Sequence, residues 1–108
     1  SYELLWAELR KPDIPSLTIQ NIMRRILENY FTILGDKDYD SICEKFDGND
    51  SLICKSLFSW VHSGSHHIYD ELCVSAGDST TATYLAVFKS IFDKMGHLSH
   101  YNMMMKEG

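Results

Sequence analysis

The chain has 108 residues, 44% of them hydrophobic and 12% aromatic, which suits one domain and excludes a disordered tail. At this length roughly two thirds of the unfolded surface can be buried, enough for a single core. Ten Lys and Arg against fifteen Asp and Glu leave a net charge of −5, so no overall positive field draws nucleic acid, and any RNA or DNA would need a local patch or a neighbouring domain.

From Tyr2 to Leu9 the residues Tyr2, Leu5, Trp6 and Leu9 fall at helical spacing, and the two prolines of "KPDIPS" stop this short first helix. Ser16 or Thr18 can cap the next helix. It runs through Ile19, Ile22, Met23, Ile26, Leu27, Tyr30 and Leu34 and ends at Gly35 in a C′ position. "GDKDYDSICEKFDGND" predicts a short helix from about Tyr39 to Phe46 between two polar turns. Asp50 or Ser51 then caps "LICKSLFSWVH". There Leu52, Ile53, Leu57, Phe58, Trp60 and Val61 cover most of the circumference, the mark of a central helix. "SGS" interrupts it, and "HHIYDELCVSAGD" reads either as a helical turn or as an extended connector.

Ser79 caps the last long helix, which places Tyr84, Leu85, Val87, Phe88, Ile91, Phe92 and Met95 on its apolar side and Gly96 past its end. The tail "HLSHYNMMMKEG" adds one more turn, with its three methionines as an adaptable packing surface or partner contact. No repeat or low-complexity tract is present. The expected fold is all-α: a compact bundle of about four main helices with short extra helical turns.

No apolar run approaches the ~20 residues that span a bilayer, and "SYELLWAELRKPD" lacks a basic n-region and a cleavage signal, so the expected setting is the cytoplasm, away from membranes. The chain opens in helical pattern without an initiator Met, which suggests a single domain, residues 1–108, cut from something longer. Cys43, Cys54 and Cys73 make neither a disulfide framework nor a CxxC clip; reduced thiols in or near the core are expected.

Two stretches carry candidate chemistry. On the second helix Asn21, Arg24, Arg25 and Glu28 stand three or four residues apart and share the polar face. That face is either simply solvated, or a place where a guanidinium held by a carboxylate grips a phosphate. In "WVHSGSHHIYDE", His62 ends the central helix. It reads as a hydrogen-bonded near-core residue, or, if it faces Arg24 and Glu28, as the group that exchanges a proton near neutrality. His, Arg and Glu together suffice for metal-independent RNA cleavage, with arginine stabilising the charge that builds on the phosphorane.

A metal set of His62, His66, His67, Asp70 and Cys73 is disfavoured by Gly64 and by the absence of HExxH or paired CxxC, so no metal is expected. A Ser-His-Asp hydrolase lacks its Gly-x-Ser-x-Gly elbow. His97 and His100 read as ordinary surface histidines.

"SLTIQNIMRRILENYFTILG", "SLFSWVHSGSHHIYDEL" and "YLAVFKSIFDKMGHLSHYNMMM" resemble the C-terminal region of PrrC- and RloC-like AAA (ABC-type) ATPases, over about Leu5 to Met105. The resemblance implies an anticodon-nuclease module of HEPN-like helical fold. Such a module cuts a transfer RNA in its anticodon loop, serves in phage defence, acts as a homodimer, and is governed by an N-terminal ATPase domain. It carries the family's Arg-x3-Glu pair onto Arg24 and Glu28 and the later histidine onto His62, with His66 as a second candidate. Asn21, Arg25, Ser63 and Ser65 become substrate contacts. No Arg-x(4–6)-His of the usual HEPN spacing is present, and a partner-binding or dimerisation module of the same ATPase is the alternative. GxxxxGK[ST] appears nowhere, so no cofactor is expected in this stretch; ATP or GTP with Mg belongs to the ATPase region.

Overall fold

Ser1 starts the first helix by accepting a hydrogen bond from the Leu4 N–H on its hydroxyl. In the computed structural model, residues 1–34, 39–58 and 81–107 are described, and those residues form six helices and no strand. They are α1 (Tyr2–Leu9), α2 (Ser16–Leu34), α3 (Tyr39–Cys43), α4 (Gly48–Leu57), α5 (Thr81–Lys94) and α6 (Leu98–Met105). The all-α expectation holds.

Helix α1 packs on α2 and α6, α5 packs on α2, α4 and α6, and α4 also meets α2 and α3. Trp6 is the hub. Fully buried on α1, it lies 5.5 Å from Phe88, 5.7 Å from Phe92 and 5.8 Å from Tyr101 between ring centroids. Tilted and edge-on pairs at these separations are the favoured aromatic geometries, so one indole ties α1 to α5 and α6. Around it gather Met23, Ile26, Leu27 and Phe31 of α2, Ile53 and Leu57 of α4, and Val87 and Ile91 of α5.

The boundaries differ from the sequence reading for local reasons. Ser16 is the first residue of α2 rather than its cap. The Pro15 carbonyl accepts the Ile19 N–H, and proline ahead of a helix has no N–H to leave orphaned. Along α2 the stripe also takes in Phe31, fully buried, while Tyr30 is half-buried. Helix α3 stops at Cys43, short of Phe46, and a turn then carries Phe46 into the core.

Helix α4 starts at Gly48, earlier than Asp50 or Ser51, behind an extended Asp47. Ser51 instead donates to the Cys43 carbonyl at 3.1 Å and so fastens α4 to the end of α3. Gly96 adopts φ +80° after α5. With it, the His97 N–H reaches the Phe92 carbonyl and the Gly96 N–H the Asp93 carbonyl, the two bonds of a Schellman stop. The tail is more than one turn: α6 has eight residues and buries Tyr101.

Cys43 and Cys54 are free, buried thiols whose sulfurs sit 3.1 Å apart across the α3–α4 contact, in keeping with reduced core cysteines. The hydrogen bond to Cys43 and burial together push the Cys54 thiol up from its usual pKa, so it stays protonated. Cys73, Gly35, Ser79, Trp60 and Val61 lie outside the described residues.

Candidate functional site: the polar face of α2

Helix α2 buries one side and leaves Asn21, Arg25, Glu28 and Asn29 exposed on the other, with Arg24 half-buried at the boundary. The split follows from sequence. Residues three and four apart share a face, so the apolar set turns inward and the polar set outward as one unit.

Among the described residues, three neutral acceptors hold Arg24. Its Nε donates to the Ser56 carbonyl on α4 at 2.9 Å, Nη1 to Asn21 Oδ1 at 2.9 Å, and Nη2 to Gln20 Oε1 at 3.4 Å. Gln20 is itself buried and donates to Ser16 Oγ at 3.3 Å. Ser16, Gln20 and Arg24 thus form a polar seam along α2, each one turn from the next, and the seam ends on the last turn of α4. The sequence reading expected Glu28 to orient this guanidinium. No ion pair joins Arg24 to Glu28, and among the described residues Gln20, Asn21 and Ser56 restrain the guanidinium. Glu28 is exposed.

Arg25 points to different surroundings. With Asn29 it lines an open cleft of about 300 Å³ whose other wall is α1, contributed by Tyr2, Leu4, Leu5 and Glu8. Asn29 donates its side-chain N–H to the Arg25 carbonyl at 2.7 Å. The structure therefore brings Arg24 together with Asn21, and Arg25 together with Asn29, on adjacent rows of one helix. His62, Ser63, Ser65 and His66 fall outside the described residues, as do His67 and Asp70 of the disfavoured metal set. Among the described residues no cluster of three or more His, Cys, Asp or Glu has metal-site geometry.

The sequence reading missed a second polar cluster. His97 and His100, expected as surface residues, are half-buried between α1, α2 and α6. Tyr2 Oη meets His100 Nε2 at 2.7 Å, and Tyr30 Oη meets His97 Nδ1 at 2.6 Å. The Tyr30 and His100 rings stack at 4.4 Å between centroids, 11° from parallel. Burial, and secondarily the nearby His97 charge, holds His100 below the ordinary histidine pKa, and burial pushes Tyr2 up to about 12. At neutral pH, then, His100 is neutral, and its tautomer sets which member of the Tyr2 pair donates. The signal was present as tyrosines in two apolar stripes and histidines three apart after a helix-stopping glycine, but only packing joins them.

The fold and its α2 face define a small helical module with one restrained and one exposed arginine side by side. The chain belongs to the AAA-domain family (AAA_13), whose model, described as "AAA domain", matches residues 1–93. No curated protein and no solved structure matches. No helix among the described residues is long and apolar enough to cross a membrane.

Proposed function

We propose that this chain is the C-terminal effector module of a phage-defence ATPase of the PrrC and RloC kind, a HEPN-like endoribonuclease that cuts a transfer RNA in its anticodon loop without a metal. The reaction is attack of a ribose 2′-hydroxyl on the adjacent phosphorus, which leaves a 2′,3′-cyclic phosphate and a 5′-hydroxyl. His62, or His66 in its place, takes the proton from the 2′-hydroxyl or gives one to the leaving oxygen. Arg24 stabilises the charge on the phosphorane oxygens, and Glu28 orients the partner or shares the proton work. Asn21, Arg25, Ser63 and Ser65 hold the RNA backbone. The module works as a homodimer in the cytoplasm, and ATP or GTP with Mg acts on it through the ATPase region.

The observation that supports this reading most is the restraint on Arg24. A guanidinium fixed by Ser56, Gln20 and Asn21 has lost its rotamer freedom before any phosphate arrives, which is what an electrostatic catalyst requires. Membership of the AAA-domain family is consistent with a module governed by an ATPase. Glu28 provides the clean test because it is exposed, so Glu28→Gln leaves the fold intact. The protein, its Glu28→Gln variant and its His62→Ala variant are expressed and cellular transfer RNAs are probed for new cyclic-phosphate ends. The expected result is discrete cuts in the anticodon loop that both variants lose; cuts that persist in both variants sink the assignment.

A second reading, a dimerisation or partner-binding module of the same ATPase, draws on Leu4, Leu17 and Met103, all about two thirds exposed. It expects intact RNA from a folded protein and a stable complex with the ATPase region.

A further inference from the structure

The cleft between α1 and the outer row of α2 has no part in the cleavage chemistry, yet its lining is mixed in a telling way. Leu4 is 64% exposed, and Leu5 and Tyr2 are half-buried, so one wall offers apolar surface to something flat. On the opposite wall Arg25 is exposed, and among the described residues no carboxylate lies within ion-pair distance of it. Glu8, the acid in the cleft, pairs with Lys11 at 2.6 Å. Asn29 spends one N–H on the Arg25 carbonyl, and its amide keeps a carbonyl oxygen and a second N–H as an acceptor-donor edge. A volume of about 300 Å³ is at the lower end of small-ligand sites, room for one base and its sugar.

We propose that this cleft is a subsite for one unpaired nucleotide of single-stranded RNA, its base against Leu4, Leu5 and Tyr2, its edge on Asn29 and its phosphate on Arg25. The inference rests on the ribonuclease reading and extends it to the substrate's neighbouring nucleotide. A single uncompensated cation is the reason for choosing a strand over a free nucleotide. One guanidinium matches the single charge of an internal phosphodiester, whereas a di- or triphosphate carries several charges and calls for several donors. The placement also fits. Arg25 and Asn29 form the row that follows Arg24 and Glu28 around the same helix, so a strand crossing α2 can set a base in the cleft and turn its next phosphate toward Arg24. In a chain of net charge −5 the general field repels RNA, which makes such local contacts the source of grip.

The test uses the Glu28→Gln protein, which keeps RNA intact, and a fluorescein-labelled single-stranded oligoribonucleotide carrying 4-thiouridine. Affinity is read by anisotropy over a series of KCl concentrations, and crosslinked peptides are mapped by mass spectrometry. Arg25→Ala and Leu4→Asp, both on exposed side chains, are expected to weaken binding about tenfold, in line with loss of one phosphate or one base contact. Arg25→Ala also lowers the slope of log K against log salt by about 0.7, one single-strand phosphate's worth, which a purely structural effect does not do. Lys94→Ala, a cation lost beside Phe46 on α5, is expected to leave affinity and slope unchanged. Crosslinks fall in residues 1–10 or 25–29.

Parental affinity and slope in both cleft variants, with crosslinks elsewhere, overturn the subsite and leave the nuclease reading standing. A protein that neither binds nor cuts RNA, its melting curve showing it folded, overturns that reading and the subsite with it.

Discussion

Helix α2 is joined to its neighbours by two kinds of chemistry. On the α1 and α6 side the join is made of rings: Tyr30 stacks on His100, Tyr2 lies 14° from parallel with Tyr30, and two phenols pair with two imidazoles. On the α4 side, beside apolar packing that includes Phe31 against Phe58, a guanidinium reaches a backbone carbonyl. Stacked rings tolerate small shifts but respond to protons, because an imidazole titrates near neutrality. The guanidinium keeps its charge at any accessible pH but demands fork geometry. One side should therefore be sensitive to acid, and the other to the shape of a single side chain.

Trp6→Ala strikes the ring side at its centre and has the largest expected effect. Replacing a fully buried tryptophan costs about 3–5 kcal/mol. Against a total stability of about 5–15 kcal/mol that brings the protein close to unfolding, which urea titration followed by circular dichroism measures. Arg24→Ala comes next, with an expected loss of about 1–3 kcal/mol, because the Ser56 carbonyl and the buried Gln20 amide lose their partner. Arg24→Lys should recover less than half of that loss. Full recovery would show that the seam needs a charge and not a fork.

Acid separates the two sides directly. The folded pKa of His100 lies below the unfolded value of 6.5, so the unfolded chain takes up the proton first. Stability is therefore complete at neutral pH and declines as pH falls through 6.5 toward the folded value. His100→Phe should flatten that decline while Arg24→Lys leaves its shape unchanged, and an NMR titration of the His100 ring should read a midpoint below 6.5. The smallest effect concerns the end of α6. Lys106 holds φ 58° where the Glu107 N–H reaches the Asn102 carbonyl, so Lys106→Gly should raise stability by up to about 1 kcal/mol in the same urea assay.

The elements themselves were legible. Apolar spacing located α1 to the residue, the prolines ended it, and Gly96 closed α5, because those signals act within one or two turns of chain. The α2 face was legible in part. Its membership could be read from three- and four-residue spacing, but the partner of Arg24 could not. Glu28 was the partner that helical spacing suggests, whereas Ser56, far along the chain on another helix, is a partner supplied by packing α4 against α2. Phe31 was missed because it extends the stripe at an angle that depends on where α5 lies: its ring meets Phe92 of α5 at 5.7 Å.

By itself, then, the sequence determined an all-α fold, the inward and outward faces of α2, and the place of Cys43 and Cys54 as free thiols in the core. Helical period and local stop signals are properties of neighbouring residues. Tertiary structure alone decided that half-buried His97 and His100 pair with Tyr30 and Tyr2, that Arg24 reaches the Ser56 carbonyl on α4, and that Arg25 faces an open cleft walled by α1. Each of these joins residues of different helices, and the distance between two helices is set by how their whole faces pack rather than by any short stretch of either.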